Sequence, residues 1–208
     1  NTSGGEKKDR SSEPDKTAMS VKDIFREFVD KPSLIFTYFG MAGVVFTTTS
    51  LLTWLPTYFH RVQGLPESQA GLKSSAVMLL ALVGAPLGGF IADRWRKKKI
   101  NARLLFPTIT SLVSAVLLFF AFVVFPGKMQ YVILLSLGMI ITAFVSAASA
   151  VTQDVVHAGM RAMSYAIAVV VQNLLGASMG PIVIGAISDT TNIQTAMSIL
   201  PVALLLAA

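Results

Sequence analysis

Gly176-Ala177-Ser178-Met179-Gly180 spells G-x-S-x-G, the spacing that presents a serine nucleophile in many hydrolases. Such a serine needs a general base within hydrogen-bond reach. The chain has two histidines, His60 and His157, and the uncharged stretches between them place these at opposite faces of a membrane, so neither serves Ser178. No His/Asp/Glu cluster has metal-ligand spacing, and with no cysteine there is no disulfide and no thiolate site. A lipid-modifying or proteolytic enzyme would lack its catalytic set. The chain therefore reads as a non-enzyme without metal or cofactor, and its charged residues must do something other than catalysis.

Asp93 is the most informative of them. It lies in Gly89-Phe90-Ile91-Ala92-Asp93-Arg94, which closes an uncharged run from Ser74 to Ala92, and Arg96-Lys97-Lys98-Lys99 follow at once. An acid at the C-terminal end of a helix opposes the helix's own dipole. It calls for a cation such as Arg94 or Arg96, or for the N-terminus of another helix. That is the chemistry of a latch on the cytoplasmic side, broken when an inner gate opens. Part of the junction recurs: Gly84, Gly89 and Asp93 return 96 residues later as Gly180, Gly185 and Asp189, without the basic cluster. Three membrane crossings separate the copies, so the first Asp faces the cytoplasm and the second faces outward. Repeats of inverted orientation are a recurring plan of secondary transporters.

These residues need elements that cross a bilayer, and the composition supplies them. Hydrophobic residues make up 53% of the 208 and charged residues 13%, about half the charge of an ordinary soluble domain. Charge-free windows cover Pro32–Phe59, Ser74–Ala92, Leu104–Gly127, Met129–Gln153, Ala162–Ser188 and Thr190–Ala208. As helices, each is about long enough to span the ~30 Å hydrocarbon core. The expected fold is an all-α membrane protein of six transmembrane helices, arranged as two inverted three-helix repeats. Starting from the cytoplasm, alternation puts fourteen Lys/Arg inside and Arg61, Lys73 and Lys128 outside. That asymmetry is the positive-inside signal, so the net charge of +6 encodes topology and headgroup contact, not nucleic acid binding.

Residues 1–19 are rich in Ser, Lys, Glu and Asp and predict a disordered cytoplasmic linker. Over residues 20–31, Val21, Ile24, Phe25, Phe28 and Val29 share one helical face, predicting an amphipathic helix at the cytoplasmic surface. Residues 32–208 form the six-helix domain, whose last helix is expected to be incomplete. The Gly84/Gly88 and Gly176/Gly180 pairs allow close helix approach, and Pro86 and Pro181 beside them permit bends. No Asp, Glu, Lys, Arg or His sits at clear mid-membrane depth, so a coupling proton or sodium ion would bind elsewhere. Uncharged polar residues are then the candidates for a substrate cavity: Tyr38, Thr49, Trp54, Ser146, Ser149, Gln172 and Asn173. Interhelical hydrogen bonding is the competing reading for Gln172 and Asn173, since amides in hydrocarbon need partners.

Gly89 to Arg94 with Lys97-Lys98 resembles the signature between the second and third helices of each half of major facilitator superfamily transporters, with Arg96 where the family usually has Gly. Trp54-Leu55-Pro56-Thr57-Tyr58 resembles the outer end of that family's seventh helix. Gly176 through Gly180-Pro181, Gly185 and Ser188-Asp189 are similar to its eleventh helix, and Arg161-Ala162 near Asp154 to the preceding loop. Gln153-Asp154-Val155-Val156 and Asn173-Leu174-Leu175-Gly176 look like bacterial spinster-like members. The resemblance implies the C-terminal half of a transporter in a bacterial inner membrane, working by alternating access. Its partners would be the N-terminal half of the same transporter, membrane lipids, and a small organic or lysolipid-like substrate. Gly89, Asp93, Arg94, Arg161, Gly180, Pro181 and Asp189 would be its gating residues. A homo-oligomeric six-helix channel or structural protein is the alternative from another class.

Overall fold

The computed structural model describes residues 32–97, 102–154, 156 and 158–208; the side chains of Pro32, 102–104, Ser146, Asp154 and Ala158 are not described. The expected linker and amphipathic helix, together with Lys98, Lys99 and His157, lie outside the described residues. All described regular structure is helical. Helix α1 spans Pro32–Arg61, α2 Glu67–Arg96, α3 Ala102–Phe119 and α4 Lys128–Asp154. A 3-10 turn at Ala158–Met160 leads to α5, Arg161–Val171, which continues through a π-helical segment, Gln172–Ser178, into α6, Met179–Thr190. Two short helices follow, α7 at Ile193–Ser198 and α8 at Leu200–Ala207.

Five helices are long and apolar enough to cross a membrane, the fifth being Arg161–Thr190. The chain is thus an integral membrane protein. The sixth expected span is a shorter apolar segment, Ile193–Ala207, broken at Ile199. Pro201 explains the break, because it has no N–H to offer the carbonyl one turn earlier. The second span starts at Glu67, seven residues before the uncharged run. The start of α2 tolerates charge, and Pro66 precedes it in an extended conformation. A tight turn joins α1 to α2, while α3 continues through a π-helical segment, Phe120–Val124, before the turn into α4. Gly64 (φ 66°) and Gly127 (φ 83°) adopt the left-handed region in these turns.

Helix α1 runs through the centre, burying Leu34, Tyr38, Met41, Val44, Leu51, Leu55 and Tyr58 at helical spacing. Helix α2 buries a stripe of small residues, Ala70, Ser74, Val77, Ala81, Gly84, Gly88 and Ala92, and lays it on α4. The packing repeats itself when the chain is shifted by three helices. The second span rests on α4 as the fifth rests on α1, and α3 packs on α4 as α8 packs on α1. Over an apolar 18-residue stretch of each span, only 28% of the second and 22% of the fifth are buried, against 44–47% of the other three. Equivalent positions in the two repeats are therefore the ones left to meet lipid or another body.

Candidate functional site

At the heart of each repeat a glycine lets two backbones touch. A Cβ at Gly84 would collide with the Met139 carbonyl and the Thr142 hydroxyl, and one at Gly88 with Ala143. Its counterpart Gly180 lies against the Phe46 carbonyl and Ser50 Oγ, each 2.6 Å from where a methyl would stand. Thr142 Oγ1 also donates to the Ala81 carbonyl at 2.7 Å, stitching α4 to α2. In a membrane such contacts are held by packing and hydrogen bonds rather than by water exclusion.

Trp54, Pro181 and Gly185 come together at the other end of the fifth span. Trp54 Nε1 donates to the Pro181 carbonyl at 2.9 Å, and its ring lies where a Gly185 methyl would be, 2.8 Å from Cζ2. Gly180 and Gly185 of the repeat, with Pro181 beside them, thus all serve the seam with α1.

The other polar candidates are largely engaged inside this bundle. Tyr38 is buried, and its hydroxyl lies 2.8 Å from Ser164 Oγ, which donates to the Thr152 carbonyl at 2.7 Å. This chain ties α1, α5 and α4 together. Thr49 Oγ1 donates to Val45 O one turn back at 2.7 Å, as Thr47 and Thr48 do to Gly43 and Val44. Ser149 is half-buried, and its carbonyl accepts from Thr152 Oγ1 at 2.8 Å. Asn173 is exposed and donates from Nδ2 to Val169 O at 2.7 Å, the carbonyl at the edge of the π-helical segment. Gln172 is half-buried, and its Oε1 is enclosed without a hydrogen-bond partner among the described residues. The gating candidates sit as their sequence positions imply: Asp93, Arg94, Arg161 and Asp189 are exposed at span ends, and Gly89 is half-buried.

Removing the Tyr38 hydroxyl breaks one link of the buried chain. Tyr38→Phe should cost about 1 kcal/mol, the usual net worth of one hydrogen bond. Ser164→Ala cuts both links and should cost about twice that, read as a lower midpoint of thermal unfolding in detergent. Equal midpoints for both variants and the parent would refute the clamp.

Two features went unmarked in the sequence. The first is an open groove of about 600 Å³, lined by Leu52 of α1, Met78, Leu79, Leu82 and Ala85 of α2, and Thr142 of α4. No charged side chain among the described residues lines it. It lies near the middle of these helices, and none of the seven cavity candidates is among its lining residues. A stripe of apolar residues on a membrane helix carries no mark distinguishing groove from lipid face. The second is a buried network at the end of the bundle where α1 passes into α2: Gln130 Nε2 donates to Tyr58 OH at 2.8 Å and Gln63 Nε2 donates to Gln130 Oε1 at 2.7 Å. An amide inside a charge-free window was its available signal. Nearby, Lys73 Nζ lies 5.9 Å from the Phe59 ring centroid and 5.3 Å from that of Tyr131.

Comparison with known proteins agrees with this geometry. A sequence profile described as Major Facilitator Superfamily matches residues 2–181. An MFS-type efflux pump of Mycolicibacterium smegmatis is 28% identical over 178 residues, 85% of this chain and 40% of the pump. The uncharacterized transporter YybO of Bacillus subtilis is 24% identical over 155 residues, 73% of this chain and 36% of that protein. Among solved structures, a bacterial homolog of the human lysosomal transporter Spinster, inward-facing and unoccupied, superposes with a TM-score of 0.75 at 18% identity. That match covers 96% of this chain and 50% of the homolog. The chain thus spans half or less of the relatives it matches. With a profile match over most of its length and the same helical fold, the chain belongs to the major facilitator superfamily.

Proposed function

We propose that this chain is the C-terminal half of a secondary active transporter in a bacterial inner membrane. It moves a small organic or amphipathic, lysolipid-like solute by alternating access. The observation that carries the reading is the uncharged groove at mid-membrane depth, because a wall of Leu, Met and Ala side chains suits a hydrocarbon portion and offers nothing to a free ion. The sparsely buried second and fifth spans are the surfaces on which the N-terminal half would seat. A coupling proton or sodium ion would be bound by that half.

The test is uptake into liposomes by the complete transporter, using a fluorescent lysolipid and a small organic anion as competing probes. Saturable lysolipid uptake, weakened by Leu79→Asn and Leu82→Asn, is the expected result. Uptake of the anion alone, indifferent to both variants, would overturn the substrate class. On the same reading Asp93 is the cytoplasmic latch. Asp93→Asn should slow uptake about tenfold, the worth of one charge-assisted contact, while membrane insertion stays intact. Unchanged uptake would remove Asp93 from the mechanism.

A further inference from the structure

Where α1 ends and α2 begins, a cavity of about 360 Å³ opens beside the Val62–Pro66 turn. Pro56, Thr57, His60 and Arg61 line it from α1, and Glu67 and Ala70 from α2. The transport reading uses none of them. Charges of both signs face this one space, yet neither Arg61 nor Glu67 is in an ion pair among the described residues. The His60 ring is fixed, because Nδ1 lies 2.8 Å from the Leu65 carbonyl. A carbonyl only accepts, so Nδ1 carries the proton and Nε2 of the neutral ring is left as an acceptor. The cavity therefore presents two chemistries. Arg61 and the Thr57 hydroxyl offer donors and positive charge, while Glu67 and His60 Nε2 offer acceptors and negative charge.

We infer that this cavity binds a phosphoethanolamine-type zwitterion, with its phosphate on Arg61 and Thr57 and its primary ammonium on Glu67 and His60. The guanidinium fork matches phosphate oxygens, and a carboxylate with an imidazole nitrogen matches an N–H donor set. An anion alone would leave Glu67 repelling it, and a cation alone would leave Arg61 doing so. A zwitterion offsets both charges at once. Depth supplies the second argument: the cavity lies where two membrane-crossing helices meet at their ends, the level of lipid headgroups. The same chemistry reaches the site from either a phosphatidylethanolamine headgroup or a dissolved phosphoethanolamine.

Binding is measured on the complete native protein in detergent, without any transport assay, so it stands or falls apart from the proposed function. Soluble phosphoethanolamine is titrated by calorimetry. Native mass spectrometry then compares retention of phosphatidylethanolamine, phosphatidylcholine and phosphatidylglycerol. Ethanolamine-headed ligand should bind in preference to the other two. Both Arg61→Gln and Glu67→Gln should weaken it by about tenfold, one charge-assisted contact each. Glu67→Gln should in addition raise retention of phosphatidylglycerol, which the carboxylate no longer repels, an effect that general loss of structure would not produce. Binding of both soluble and lipid forms indicates a site open to free solute. Binding of the lipid alone indicates a headgroup site; both support the assignment. No binding of either form, equal retention of the three lipids, or affinity indifferent to both substitutions would overturn it.

Discussion

Replacing Gly84 by leucine should prevent the second and fourth spans from seating against each other. A single Cβ at that position already overlaps the Met139 carbonyl, which is backbone and cannot swing aside. Overpacking a core usually costs about 1–3 kcal/mol, and a collision with a main-chain atom belongs at or above the upper end. The midpoint of thermal unfolding in detergent should fall sharply, and little folded protein should be recovered. Gly71 lies on the same helix, and a methyl placed there would meet nothing within 4 Å, so Gly71→Leu should leave the midpoint nearly unchanged. The contrast matters because it separates contact from helix propensity, which favours leucine over glycine at both sites. Equal behaviour of the two variants would mean that α2 and α4 do not approach as described.

Trp54→Ala should be the second severe change. The half-buried indole fills the seam beside Gly185 and satisfies the Pro181 carbonyl. Complete burial of such a side chain is worth about 3–5 kcal/mol in cavity-forming substitutions, and partial exposure brings the expected loss to about 2–3 kcal/mol. Trp54→Phe retains most of the ring contact and loses only the N–H donor, so it should cost about 1 kcal/mol. Gly185→Val attacks the same seam from the other side and should displace the indole. Trp54 is one of two tryptophans in the chain, and the other, Trp95, lies near the opposite end of the bundle. A shift of Trp54 emission in Gly185→Val would report the displacement directly, whereas unchanged emission and stability would show that the seam does not close there.

Much of this arrangement was legible in the residues because membranes impose simple rules. Charge-free windows gave five of the spans. The constant spacing of Gly84, Gly89 and Asp93 from Gly180, Gly185 and Asp189 exposed a repeat whose contacts recur in the packing. Length was less legible at the last span, since hydropathy does not register the interruption that Pro201 brings at Ile199. Residue type marks the polar candidates, but type does not say whether a hydroxyl faces a cavity or its own helix. Thr49 turns back on Val45, Tyr38 reaches Ser164, and Asn173 returns to Val169, each choice settled by rotamer and neighbour. The groove is illegible for the converse reason, its residues being indistinguishable by type from those that face lipid.

The π-helical segment Gln172–Ser178 has an evolutionary corollary. A wide turn of this kind is what an α-helix becomes when it absorbs one surplus residue without rotating the turns beyond it. Deleting a residue from an ordinary helix swings the remainder by about 100°, which would carry Gly180, Pro181 and Gly185 off their seam. Loss of one residue here, exposed Leu174 for instance, would let the segment relax to regular α-helix while the downstream face kept its phase. The fifth span is thus one place where lineages of this protein can differ in length by one residue and still close the same joint.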